Sequence, residues 1–129
     1  MDTGAIRRRT ALGLTVLTAS GLLALAAPGS AQADPYCSGR KVRDLTFSTG
    51  VVHVYKANGY VCAVTFPKQA SSVKRSMSVS VQARGNRPVV DSGQYSHHAG
   101  PVMVHAGHRC VWIKGSVDAG SVSSGWILC

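Results

Sequence analysis

With 129 residues, 14 lysines and arginines against 5 acidic residues, and a net charge of +9 at neutral pH, the chain has room for one small domain with a surface drawn to anions. It contains no glutamate, so a glycosidase-type carboxylate pair would have to come from scattered aspartates. Neither an internal repeat nor a linker marks a second domain.

Residues 1–33 read as an export signal. Arg7, Arg8 and Arg9 form the charged start, Ala11 to Ala27 is an uncharged apolar run, and Ala31-Gln32-Ala33 after Pro28-Gly29-Ser30 is the small-x-small pattern of a cleavage site. Cleavage is expected after Ala33, leaving residues 34–129 as a single domain with no membrane attachment. A membrane anchor would want about 20 apolar residues, and the helix-breaking Pro28-Gly29 comes too early. Arg8-Arg9-Thr10-Ala11-Leu12 loosely resembles a twin-arginine signal without its bulky residue, so both export routes stay open. Removal takes away three arginines and Asp2, and the mature part keeps +7 of the chain's +9.

All four cysteines, Cys37, Cys62, Cys110 and Cys129, lie in the exported part, where an oxidising compartment would join them in two disulfides. Three pairings are possible. Cys37–Cys62 with Cys110–Cys129 is preferred because each bridge joins neighbouring segments.

Strand patterns dominate residues 34–129. "VVHVYK" (Val51 to Lys56) and "YVCAVTF" (Tyr60 to Phe66) are rich in branched and aromatic residues, and the intervening Asn58-Gly59 is a hairpin signal. In "SMSVSVQAR", Met77, Val79, Val81 and Ala83 alternate with Ser78, Ser80 and Gln82, which predicts a strand with one wet face. Gly85-Asn86-Arg87-Pro88 predicts a turn into Val89-Val90, and Asp91-Ser92-Gly93 a further break before Gln94 to Ala99. Pro101 to Ala106 and Cys110 to Val117 are expected to pair through Gly107-His108-Arg109. Gly120 to Gly125 reads as loop, with Trp126 to Cys129 as a last strand. The fold expected is all-β, a small antiparallel sandwich or barrel stapled by two disulfides and preceded by the cleaved leader.

Four of five histidines fall between Ser96 and Cys110. His98, His105 and His108 are the candidates for a weak transition-metal site, since His105 shares a strand face with Met103 and His108 stands in the turn. The plain alternative is three imidazoles on a wet face, and the basic surface disfavours a cation. No cofactor is expected. There is no Gly-x-Ser-x-Gly elbow, and two disulfides would leave no free thiol, so no enzymatic activity is expected.

The basic residues are more informative. Arg40, Lys41, Arg43, Lys74, Arg75, Arg84 and Arg87 are expected at loops or strand ends, as candidate contacts for cell-wall phosphate chains, acidic polysaccharide or extracellular DNA. Of the aromatic residues Tyr36, Tyr55, Tyr60, Tyr95, Trp112, Trp126, Phe47 and Phe66, most are assigned to the core rather than to stacking platforms.

"DSGQYSHHAGPVMVHAGHRCVWIKG" (Asp91 to Gly115) resembles the carboxy-terminal half of the spore-associated protein A family, small exported proteins of filamentous actinobacteria. The likeness rests on Asp91-Ser92-Gly93, Tyr95, Ala99-Gly100-Pro101-Val102, Val104, Cys110 and Cys129, and "YVCAVTF" resembles the family's earlier cysteine strand. His98 stands where the pattern has an aromatic residue, and Trp112-Ile113-Lys114 replaces a Trp-Gly-Gly one position later. The resemblance implies a protein of the spore or cell surface, without an assigned reaction and with no catalytic residues to carry over. Adhesion to anionic envelope polymers through the basic loops is the expected mechanism. The alternative is a secreted inhibitor that presents Gly85 to Pro88 to a protein partner.

Overall fold

The computed structural model describes residues 36–129; the expected leader and its cleavage site lie outside them. Eight strands form: β1 (Arg40–Phe47), β2 (Gly50–Ala57), β3 (Tyr60–Pro67), β4 (Arg75–Ala83), β5 (Val89–Tyr95), β6 (Ala99–His105), β7 (Val111–Val117) and β8 (Gly120–Ile127). They make two four-stranded antiparallel sheets, ordered β1-β2-β3-β6 and β5-β4-β7-β8. The all-β fold and both disulfides, Cys37–Cys62 and Cys110–Cys129, are present as expected.

Alternation builds the core. Val52 and Val54 of β2 and Val61 and Ala63 of β3 face Met77, Val79 and Val81 of β4 and Val111, Ile113 and Val117 of β7, all buried in one cluster. The sheets approach closely at Gly115, where a Cβ would stand 2.3 Å from Val52 Cγ2 and 2.7 Å from Thr65 Oγ1. Thr65 is buried, and its hydroxyl has no hydrogen-bond partner among the described residues. Desolvating such a group costs about 1–3 kcal/mol.

β3 is buried on both faces for a different reason. The Cys37–Cys62 bridge lays the segment before β1 across the outer face of its sheet, where Cys37, Tyr55, Cys62 and Val64 form a second small cluster with Phe66 against it. The β2–β3 turn is the expected Asn-Gly, with positive φ of 50° at Asn58 and 82° at Gly59.

Four expectations need correction. β1 was not foreseen; pairing with β2 turns the basic run Arg40 to Arg43 into an edge strand. β5 continues through Asp91-Ser92-Gly93, because β4 offers it an unbroken partner from Arg75 opposite Tyr95 to Val81 opposite Val89. β8 likewise runs through the Gly120 to Gly125 segment on the template of β7. Finally, β6 and β7 do not pair. β6 joins β3 and β7 joins β4, the crossed connections of a Greek key. Between them the chain is held to the other hairpin, since Ala106 N and Gly107 N both donate to Gly59 O at 2.9 Å.

The crossing from β5 to β6 is tied by Asp91. Its carboxylate accepts hydrogen bonds from the Tyr95 hydroxyl and, at 2.8 Å, from the Gly100 amide. Gly100 has φ +91°, and a Cβ there would meet Ala63 O at 2.9 Å.

Candidate functional site

The fold sorts the seven candidate cations into three places. Arg40, Lys41 and Arg43 line the β1 edge, Lys74 and Arg75 stand at the start of β4, and Arg84 and Arg87 follow its end. The two ends of β4 are separated by nine residues, roughly 30 Å of extended chain. One ligand-sized site therefore cannot use all seven.

Each group differs in what already occupies its charge. Lys41 Nζ lies 3.2 Å from Asp44, which also meets His53 Nδ1 at 2.6 Å. Burial pushes the Asp44 carboxyl up, but the hydrogen bonds and charges of His53 and Lys41 outweigh it and hold the group below its ordinary 3.8. Arg43 donates to Val42 O at 3.0 Å, and Arg75 to Gln69 O at 2.7 Å.

The end of β4 is built differently. Arg84 lies over the Trp126 ring at 5.2 Å, and Trp126 meets Trp112 edge to face with centroids 5.2 Å apart. Arg109 donates to Arg84 O at 3.3 Å, to Ala106 O at 3.1 Å and to His105 O at 2.9 Å, which fixes a further cation at this end. In the sequence Arg109 stands in the Gly107-His108-Arg109 turn, where nothing marks it as a partner of Arg84.

Both tryptophans are on the outer face of the sheet, outside the core expected to hold most of the aromatic residues. The reason is the period of β7: Val111, Ile113, Gly115 and Val117 point inward, so Trp112, Lys114 and Ser116 point out. Trp126 sits directly opposite Trp112 in register and follows it. The signal was legible in "VWIKGSV".

Beside Trp112 a cavity of about 260 Å³ is lined by Ser78, Ser80 and Gln82 of β4, Pro88 and Val90 of the β5 side, and Trp112 and Lys114 of β7. Short side chains on the central strand and longer ones on its neighbours make this shape.

The metal candidates are dispersed. His98 Nδ1 contacts Gly100 O at 2.9 Å while its ring lies 4.3 Å from that of Tyr36. His105 packs edge-on to Tyr60 at 4.9 Å, and His108 is exposed in the connection to β7. Among the described residues no three His, Cys, Asp or Glu side chains come together in a way that holds a metal ion. His98 stands just before β6 and His105 at its end, so the two lie at opposite ends of one strand and do not meet across a hairpin.

Among the described residues no helix is long and apolar enough to cross a membrane. No family model, curated protein or solved structure matches the chain.

Proposed function

We propose that the protein is exported, stays at the exterior of the cell or spore, and adheres there to anionic envelope polymers without catalysing a reaction. The observation that carries this reading is the engagement of the carboxylates. Asp44 is taken up by Lys41 and His53, and Asp91 by Tyr95 and Gly100, which leaves the exposed Asp118 as the one other aspartate among the described residues to set against the remaining cations. Two disulfides fit an oxidising compartment. The resemblance to the spore-associated protein A family supports the location. Its shared residues Asp91, Tyr95 and Gly100 make the β5–β6 corner, which is a reason for them to recur without a reaction to perform.

The test is retention on isolated envelopes washed at rising salt. The protein should stay bound at low ionic strength and elute as screening shortens to about 8 Å near 0.15 M; retention that ignores salt overturns the adhesion reading. The inhibitor reading has support of its own, because the Gly85 to Pro88 loop is pinned by Asn86 N to Ala83 O at 2.9 Å and Gln82 Nε2 to Asn86 O at 2.9 Å. Recovery of one stoichiometric protein partner, lost on altering Arg87, would favour it.

A further inference from the structure

We propose that the trough beside Trp112 binds an acidic polysaccharide chain, with Trp112 as the surface for a sugar ring and Lys114 as the partner of its carboxylate. The proposal rests on the adhesion reading and assigns it a site and a ligand class. Three features of the trough point the same way.

The floor is made of groups that suit sugar hydroxyls. Ser78, Ser80 and Gln82 line it in a row along β4, each with a side chain able to donate and accept. Ser78 shares a 2.6 Å hydrogen bond with Ser116, while Ser80 has no side-chain partner among the described residues. An apolar protein segment would leave such groups without partners, which is costly.

The walls add a ring surface and a charge. Trp112 Nε1 already donates to Ser123 Oγ at 2.7 Å, and its ring packs T-shaped against Trp126, so its position is fixed before any ligand arrives. Lys114 stands opposite Ser80 in register and has no carboxylate partner among the described residues. Among the described residues no aspartate occupies this face: Asp91 is turned to Tyr95 and Gly100, Asp44 belongs to the other sheet, and Asp118 lies in the β7–β8 turn. Arg84 and Arg87 at the end of β4 extend the positive field beyond the trough.

The dimensions fit a chain one ring wide. β5 and β7 flank β4 on either side, so the walls stand about 10 Å apart, two strand spacings. A nucleic acid would be expected to need several stacking rings and a row of cations, whereas the lining has one indole and one lysine. A carboxylate-bearing polysaccharide matches that ratio.

The chain's two tryptophans both stand on this face, so intrinsic fluorescence of the unaltered, oxidised protein reports the site directly. Polygalacturonate should change that fluorescence saturably, and the same polymer with its carboxyls reduced should bind more weakly, as should inorganic polyphosphate and duplex DNA. Lys114→Gln and Trp112→Ala should each weaken polygalacturonate binding about tenfold, whereas Lys68→Gln, just after β3 of the other sheet, should change it less than about twofold. Far-UV dichroism and absence of free thiols establish that the variants are folded, and the fluorescence titration of the unaltered chain needs no variant.

Equal binding of the carboxyl-reduced polymer, or tighter binding of polyphosphate or DNA, overturns the proposal. So does a protein partner competing for the trough. If polyanions are held but Lys114→Gln and Trp112→Ala change nothing, adhesion survives and the trough does not; if no polyanion is held at low salt, both fall.

Discussion

At the scale of single residues, Gly115 and Asp91 decide more of this molecule than their neighbours. A Cβ at Gly115 would enter the space of Val52 Cγ2, and a branched side chain locked in a strand has little freedom to withdraw. Gly115→Ala should therefore lower the unfolding free energy by about 1–3 kcal/mol, read from denaturant midpoints, as other overpacked cores do. Asp91 carries the β5–β6 corner through Tyr95 and Gly100. Its hydrogen bond to the Tyr95 hydroxyl, with lesser help from desolvation and charge, raises that phenol above its ordinary 10.0. A native value raised in this way means stability that is complete below pH about 10 and lost as pH climbs through the native value. Asp91→Asn should lower the melting temperature near neutrality by about 4–8 °C, the equivalent of one net hydrogen bond in a domain of this size. That difference should narrow in thermal melts above pH 10. A gap that stays constant with pH would remove Tyr95 from the explanation.

At the scale of strands and bridges, what was legible in the sequence depended on where the information resides. β2, β3 and β4 could be read because their own alternation and the Asn58-Gly59 turn specify them. The β5 stretch at Asp91-Ser92-Gly93 and the serine-rich β8 hold little strand preference of their own; β4 and β7 impose it by offering open edges. Alternation also names strands without naming partners, which is why β6 and β7 were expected to pair. The same period contains the outward placement of Trp112, since Val111 and Ile113 on either side of it point inward. Of the candidate site, then, the cations were visible, but their division among three places follows from β1 pairing at an edge and β4 running the length of its sheet.

The bridges divide their duties between elements. Cys37–Cys62 spans 25 residues and holds the segment over Tyr55, Val64 and Phe66. Cys110–Cys129 spans 19 and fixes the end of β8 beside the start of β7. Each closes a loop worth about 3 kcal/mol in the chain-entropy account. Replacing Cys37 and Cys62 together by serine should cost that amount and also open the small outer cluster, seen as faster hydrogen exchange at Tyr55 and Val64. Loss of Cys110–Cys129 should instead disturb the Trp112–Trp126 pair and so the tryptophan fluorescence. The two outcomes exchanged would contradict this division.

At the scale of the whole molecule, a β-sandwich with Asp44 and Asp91 engaged in internal contacts presents one outer sheet face that combines hydroxyls, paired indoles and a lysine without a carboxylate partner among the described residues, under a net positive charge. Long-range charge brings such a molecule to an anionic polymer, and short-range complementarity decides where the polymer lies. The two contributions separate by their response to salt. The most direct test of the account is the slope of log affinity for polygalacturonate against log salt concentration, measured for the unaltered protein and for Arg84→Gln, Arg87→Gln, Lys114→Gln combined. Affinity should fall steeply with salt in the first and with a clearly shallower slope in the second, because each cation that releases counterions adds to the slope. An affinity that ignores salt, or the same slope in both proteins, would contradict it.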